Sequence, residues 1–157
     1  PDHVAPQRHY YDKSHISYLF VFCGLVAAFV QGGMIGRLVK MFGEPKLIWT
    51  SLLVVAGAMI LIPVVSGLAL LLLALALFAG GSGVNRAPTM GMISKSADAD
   101  EQGAIMGVAQ SVGTLARIAG PVFATTTFAI QPVLPYLICA LVAVIASVIA
   151  WNRLRGA

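Results

Sequence analysis

The sequence predicts an all-α, polytopic bundle of transmembrane helices, and its composition and charge distribution lead to this fold class. Apolar residues make up 59% of the 157 residues, charged residues only 10%, and the mean hydropathy is +0.89. An ordinary globular domain is about 45–50% apolar and about 25% charged. A short soluble chain leaves much of its surface in water, so it cannot hide this much apolar area. These values exclude a typical soluble enzyme, a disordered chain and a small disulfide-bonded scaffold.

Five charge-poor stretches are long enough to cross a membrane. The hydrocarbon core of a bilayer is about 30 Å thick and takes roughly 20 helical residues to cross. Helices are required because lipid offers no partners to open backbone groups. Prolines disrupt helices, so Pro63 closes the second span and Pro132 and Pro135 mark the last turn. The predicted spans are residues 16–35, 47–65, 68–92, 104–128 and 133–151, within a bundle over residues 16–153.

The orientation follows from the basic residues. Six lysines and arginines follow the first, third and fifth spans, whereas only two precede the first. Basic loops stay in the cytoplasm, so residues 1–15 form an external leader and residues 154–157 a cytoplasmic tail. The net charge of +4 is therefore mainly a topology signal, with no clustered basic face for nucleic acid. The six are Arg37, Lys40, Lys46, Lys95, Arg153 and Arg155.

No catalytic constellation is present, so we expect neither an enzyme nor a bound cofactor or metal. The two cysteines lie in apolar stretches and are typical of small buried hydrophobes. The segment Gly80–Gly83 lacks the ending of a phosphate loop and lies inside a span. Close helix packing or a flexible helix segment explains it better. The histidines fit no common zinc spacing and lie in the leader, at His3, His9 and His15.

Polar residues inside the spans are the candidates for function, since charges at membrane depth usually face a cavity or a partner. Gln110, Thr114 and Arg117 share one face of the fourth span by their i, i+4, i+7 spacing. This stripe fits the wall of a substrate cavity, or a hydrogen-bond network between helices. Arg86 either snorkels to the interface or takes part in gating. Secondary candidates are Gln31 and Asn85.

Glycines mark places where helices can approach closely or bend. Gly103 and Gly107 are four residues apart, a spacing that permits close packing. Gly120 and Pro121 are expected to kink the fourth span, because proline interrupts the hydrogen-bond ladder. A kink beside Arg117 would serve either packing or a hinge movement.

Two stretches resemble a known family. The segment from Gly36 to Lys46 resembles the short cytoplasmic signature loop of the major facilitator superfamily, in its degenerate second copy. Gly36, Leu38 and Gly43 match the pattern, whereas Lys40 replaces its aspartate and Met41 its arginine. The resemblance implies a cytoplasmic gating loop, and the two replacements remove the charge relay of the first copy.

The second stretch, from Ile93 to Gly103 and on through Gly107 to Pro121, resembles the tenth-to-eleventh helix region of tetracycline-efflux-like and multidrug proton antiporters. The resemblance implies helices eight to twelve of a twelve-helix transporter, and we expect a C-terminal piece whose N-terminal half is missing. A processed five-helix protein is the alternative. All six carboxylates lie outside the spans, so any proton-carrying acid is expected in the missing part.

The function implied is secondary active transport by alternating access, with proton-coupled efflux of small amphipathic compounds. The expected partners are the lipid bilayer, the N-terminal half of the same polypeptide, a small-molecule substrate and protons. The expected location is the bacterial inner membrane. Two alternatives stay open: uptake of a metabolite anion with Arg117 as its counter-charge, and a membrane scaffold subunit that does not transport.

Overall fold

The computed structural model describes residues 13–98 and 100–154 and confirms the all-α class. The predicted tail residues 155–157 and most of the predicted leader, residues 1–12, lie outside the described residues. A π-helical turn, Val30–Met34, separates the first two helices. The helices are α1 (Lys13–Phe29), α2 (Ile35–Phe42), α3 (Glu44–Leu61), α4 (Leu68–Lys95), α5 (Gln102–Ile130) and α6 (Leu134–Leu154).

In the described part of the chain, four helices are long and apolar enough to cross a membrane. The fourth predicted span corresponds to α5, which is 29 residues long but more polar, because it carries Arg117 and three consecutive threonines, residues 125–127. The helices begin and end within a few residues of the predicted spans, except after the first. The four helices that are long and apolar enough to cross a membrane are Ser17–Phe42, Glu44–Leu61, Leu68–Lys95 and Leu134–Leu154.

The structure corrects the predicted loop after the first span. Helix continues through the π-helical turn and α2 to Phe42, and only Gly43 separates α2 from α3. Gly43 has φ +78°, a backbone conformation that residues other than glycine rarely adopt. Leu38 lies on α2 in a cavity beside α3 and α4, and this apolar contact favours helix over a solvated loop.

Small residues form the core, and large apolar side chains point outward. Central helix α3 packs on α4 and α6, and the contacts bury Ala56, Ala58, Ala74 and Ala140 almost completely. Leucines, valines and phenylalanines on the outer faces are mostly exposed. This arrangement suits a bilayer, where helices associate by close packing of small residues rather than by hiding apolar surface from water.

The glycine-rich segment of α4 is the closest helix contact. A Cβ at Gly81 would lie 3.0 Å from Val55 and 3.2 Å from the backbone oxygen of Ser51 in α3. On the other side of α4, Gly80 and Gly83 face the π-helical turn. The packing interpretation of Gly80–Gly83 is therefore confirmed.

The basic ends of the helices meet at one end of the bundle, called the basic end below. Lys95 Nζ contacts Glu44 Oε1 at 2.8 Å, which joins the end of α4 to the start of α3. Gln102 Nε2 donates to the Ser94 carbonyl at 3.1 Å and joins α5 to α4. Because the Lys95 side chain is 70% exposed, the ion pair contributes about 1 kcal/mol or less to stability.

Helix α5 is loosely packed. It has no buried residue among those described, and a Cβ at Gly103, Gly107 or Gly120 would meet no atom within 4 Å. The bundle therefore does not use these three glycines for the close helix packing that their spacing predicts. The α-helix runs without interruption through Pro121.

Candidate functional site

One face of α3 lines three cavities, one after another along the helix. Ile48, Leu52, Val55 and Met59 follow i, i+4, i+7, i+11 spacing, so they share this face. Each of them lines one of three cavities. We call this feature the central groove: the α3 face formed by these four residues, with the parts of α4, α5 and α6 that line the same cavities.

The three cavities follow the groove from the basic end outward. The cavity at the basic end has a volume of about 450 Å³ and includes Ile105 of α5 and Leu154 of α6. The middle cavity, of about 340 Å³, lies between α3 and α4. The far cavity, of about 460 Å³, is lined by Met59 and by α5 and α6. Thr89 lines both the basic-end and the middle cavity, so these two adjoin.

A polar cluster joins α3 to α4 beside the middle cavity. Asn85 Nδ2 donates to the Ile48 carbonyl at 3.2 Å and to Ser51 Oγ at 3.0 Å. Thr89 Oγ1 donates to Asn85 Oδ1 at 3.3 Å and to the Asn85 carbonyl at 2.8 Å. The amide nitrogen of Asn85 therefore connects α4 to α3, whereas its oxygen accepts from Thr89 within α4; this role is more specific than its sequence position indicated.

We expect the Asn85–Ser51 contact to show a measurable coupling energy. In a double-mutant cycle, Asn85→Ala and Ser51→Ala should each destabilise the protein, and the double variant should lose less than the sum. The expected coupling is about 0.6 kcal/mol, the average for such bonds in a membrane bundle. Unfolding in detergent by dodecyl sulfate titration measures it, and strictly additive losses would contradict the contact.

Arg86 lies at the middle cavity with no hydrogen-bond or ion-pair partner within the described residues. It is exposed and lines this cavity with Ser82 and Asn85. Nine residues separate it from Lys95, which corresponds to about 14 Å along α4. Eighteen residues, or about 27 Å, separate it from Leu68 at the other end of α4, so Arg86 lies within the helix but nearer the basic end.

The predicted stripe on α5 is exposed along its whole length. Gln110, Thr114 and Arg117 are all exposed, and Thr114 Oγ1 donates to the Gln110 carbonyl within α5 at 2.9 Å. Among the described residues, none of the three bonds to another helix. The stripe lies about 12 to 22 Å from Gln102 along the helix axis.

The same face of α5 continues into the far cavity. Phe128 follows Gln110 by 18 residues, or about five turns, and Thr125 lies next to it on that face. Both line the far cavity opposite Met59 of α3. Ile105, which lines the basic-end cavity, lies on the opposite side of α5 from the stripe. The stripe therefore shares a face with the far-cavity residues but lines none of the three cavities itself.

The remaining predicted residues lie away from the groove. Gln31 lies in the π-helical turn and its side chain borders Gly83. On α2, Gly36 has open space around it and Lys40 is exposed. The residues that the sequence reasoning missed are Ser51, Ser82, Thr89 and the α3 face, although the 4-3-4 spacing of Ile48, Leu52, Val55 and Met59 was a signal available in the sequence.

Comparison with known proteins gives one match, to the family model described as Major Facilitator Superfamily, over residues 4–155. No curated protein and no solved structure matches the chain. The apolar helices and this match indicate an integral, multi-pass membrane protein. Because the family model covers nearly the whole sequence, the chain belongs to the Major Facilitator Superfamily, a family of membrane transporters.

Proposed function

We propose that this protein is a proton-coupled exporter of small amphipathic compounds, and that the polar stripe of α5 forms one wall of its pathway. The observation that carries the proposal is the exposure of Gln110, Thr114 and Arg117 at membrane depth. Polar side chains inside a bilayer usually face water or a partner. No other described helix bonds to these three, so a water-filled pathway accounts for them better than a network between helices.

The stripe needs a second wall. We propose that the chain forms helices eight to twelve, and that an N-terminal half of the same polypeptide completes the cavity across from α5. Substrate sites in this architecture lie near the mid-depth of the membrane, between bundles that rock against each other. The open flank of α5 fits such a partner, since Gln110, Thr114 and Arg117 are exposed there and bond to no other described helix.

The export direction and the proton coupling rest on the resemblance of residues 93–121 to the antiporter group. The described carboxylates lie at the basic end, where Glu44 is paired with Lys95. The proton-carrying acid is therefore expected in the N-terminal half. The location proposed is the bacterial inner membrane, with the basic end and the C-terminus in the cytoplasm.

Transport by the full-length protein tests the proposal. Inside-out membrane vesicles energised with a proton gradient should accumulate an uncharged amphipathic dye such as Nile red. Arg117→Ala should lower the initial rate at least tenfold, because the variant removes the charged part of the pathway wall. Arg153→Ala is the matched control, since it removes an arginine at the basic end, and it should transport at the unmodified rate.

Two outcomes contradict the proposal. An unchanged rate in Arg117→Ala would exclude the stripe from the pathway. Organic-anion uptake that disappears in Arg117→Ala, without dye export by the unmodified protein, would favour uptake of a metabolite anion. A scaffold role predicts no flux of either kind and full stability for these helices expressed alone.

A further inference from the structure

Arg86 is a cation in a membrane-crossing helix, and it has no counter-charge among the described residues. Its guanidinium carries five N–H donors, and none of them has a partner within residues 17–98 and 100–154. The nearest described ion pair is Glu44–Lys95, since Glu44 Oε1 lies 3.4 Å from the Cβ position of Gly91, five residues or about 7.5 Å along α4 from Arg86. That carboxylate is already bonded to Lys95 at 2.8 Å, so it leaves Arg86 unpaired.

The other polar groups of the middle cavity are already bonded to protein. The amide nitrogen of Asn85 donates to two acceptors on α3, the Ile48 carbonyl and Ser51 Oγ. Ser82 Oγ donates to the Phe78 carbonyl at 2.6 Å, and Thr89 Oγ1 donates to Asn85. Arg86 is thus the cavity's free donor group among the described residues. A sugar or another polyhydroxyl ligand would find few partners here, whereas a single anionic group finds a planar fork that matches a carboxylate.

The rest of the cavity is apolar. Leu52, Val55 and Met90 form its other walls, and the α3 face continues as far as Met59 in the far cavity. The far cavity adds Ala124, Phe128 and Ala129 of α5. An apolar body attached to the anionic group would therefore lie along α3, between the Arg86 cation and an apolar end.

We propose that the central groove is a binding site for a small amphipathic organic anion, with its carboxylate on Arg86 and its apolar body along the α3 face toward Met59. The site lies inside this bundle and does not require the second half as a wall. This proposal rests on the proposed function in one respect only: the ligand is a transported compound rather than a lipid. The volume of about 340 Å³ in the middle cavity accommodates an aromatic acid of two fused rings.

Equilibrium binding tests the site without any transport step. The full-length protein, purified into nanodiscs of phosphatidylcholine, is titrated with 2-naphthoate and with its neutral analogue 2-naphthamide by calorimetry. The unmodified protein should bind 2-naphthoate at least tenfold more tightly than 2-naphthamide. Arg86→Gln should abolish this preference, and Arg86→Lys should retain part of it.

Two control variants separate binding from folding. Arg153→Gln makes the same charge change at the basic end and should leave the preference intact. Met59→Trp should weaken both ligands, because it fills the apolar end of the groove. Each variant is first checked for an unchanged thermal midpoint, and Arg86→Lys keeps the test valid if Arg86→Gln fails to fold.

Three results would overturn the proposal. The first is equal binding of the two ligands by the unmodified protein, and the second is an undiminished preference in Arg86→Gln. The third is loss of 2-naphthoate binding when the protein is placed in nanodiscs that contain phosphatidylglycerol, since the groove would then hold a lipid headgroup. If the full-length protein binds 2-naphthoate but exports no dye, only the proposed function is contradicted. If it exports dye but does not bind 2-naphthoate, only this site is contradicted.

Discussion

Gly81→Val is expected to destabilise the bundle by roughly 3 kcal/mol, the upper end of the usual cost of overpacking a core. A Cβ at this position would lie 3.0 Å from Val55, 3.2 Å from the Ser51 carbonyl and 3.3 Å from Val54. A backbone oxygen and two stiff β-branched side chains cannot move aside easily, so α3 and α4 must separate. Thermal unfolding or dodecyl sulfate titration of the purified protein measures the loss.

Gly107→Val is the matched control for this variant. It makes the same chemical change inside a helix and so carries a similar change in helix propensity. A Cβ at Gly107 would meet no atom within 4 Å, so its effect on the free energy of unfolding should be small. Equal losses in the two variants would contradict the α3–α4 contact at Gly81.

Cysteines placed on the α5 stripe should react with a thiol reagent more than tenfold faster than cysteines placed on the lipid-facing side of α5. In a protein carrying Cys23→Ser and Cys139→Ser, the variants Gln110→Cys and Thr114→Cys should react quickly with a charged methanethiosulfonate reagent. The thiolate is the reactive form, and it forms in water rather than in hydrocarbon. Initial rates measured on intact membranes by mass spectrometry give the comparison.

Val112→Cys and Leu115→Cys are the controls for the labelling. Both native side chains are largely exposed, at 61% and 65%, yet they lie on other faces of α5 and are expected to contact lipid. Their thiols should react slowly in spite of this exposure. Similar rates at all four positions would contradict a water-filled pathway along the stripe.

The sequence predicted the helices better than it predicted their contacts. Length and hydropathy place the five spans because the bilayer sets the length of a crossing helix. The segment from Gly36 to Phe42 was predicted as loop because its basic residues resemble those of a cytoplasmic connection. The structure keeps it helical, since Leu38 packs beside α3 and α4 and Gly43 alone supplies the positive φ of the turn.

The predicted packing glycines show the same limit. Spacing of four residues favours close approach at Gly103 and Gly107, but spacing says nothing about which helix lies opposite. In the structure the close contacts are at Gly81 and Gly83, because α4 lies between α3 and the π-helical turn. Helix α5 has no neighbour at its glycines, so the same residue type has no packing role there.

For the candidate site as well, the sequence predicted some features, and others became visible only in the structure. Helix periodicity placed Gln110, Thr114 and Arg117 on one face, and the cost of burying charge singled out Arg117 and Arg86. The bonds from Asn85 to Ile48 and Ser51 join residues more than thirty positions apart. No local pattern indicates such a pair, although the spacing of Ile48, Leu52, Val55 and Met59 does indicate the α3 face that lines the cavities.

By itself, the sequence determined that this protein is a bundle of membrane-crossing helices with one basic end. Those properties depend on composition and on short-range periodicity, which a single helix already displays in lipid. Only the tertiary structure decided that α3 is the central helix, that Gly80–Gly83 is a packing surface, and that Arg86 lines a cavity with Leu52 and Val55 of α3. These facts depend on which helices are neighbours, and in a bilayer the fit of small residues selects the neighbours, because lipid is as apolar as the side chains it replaces.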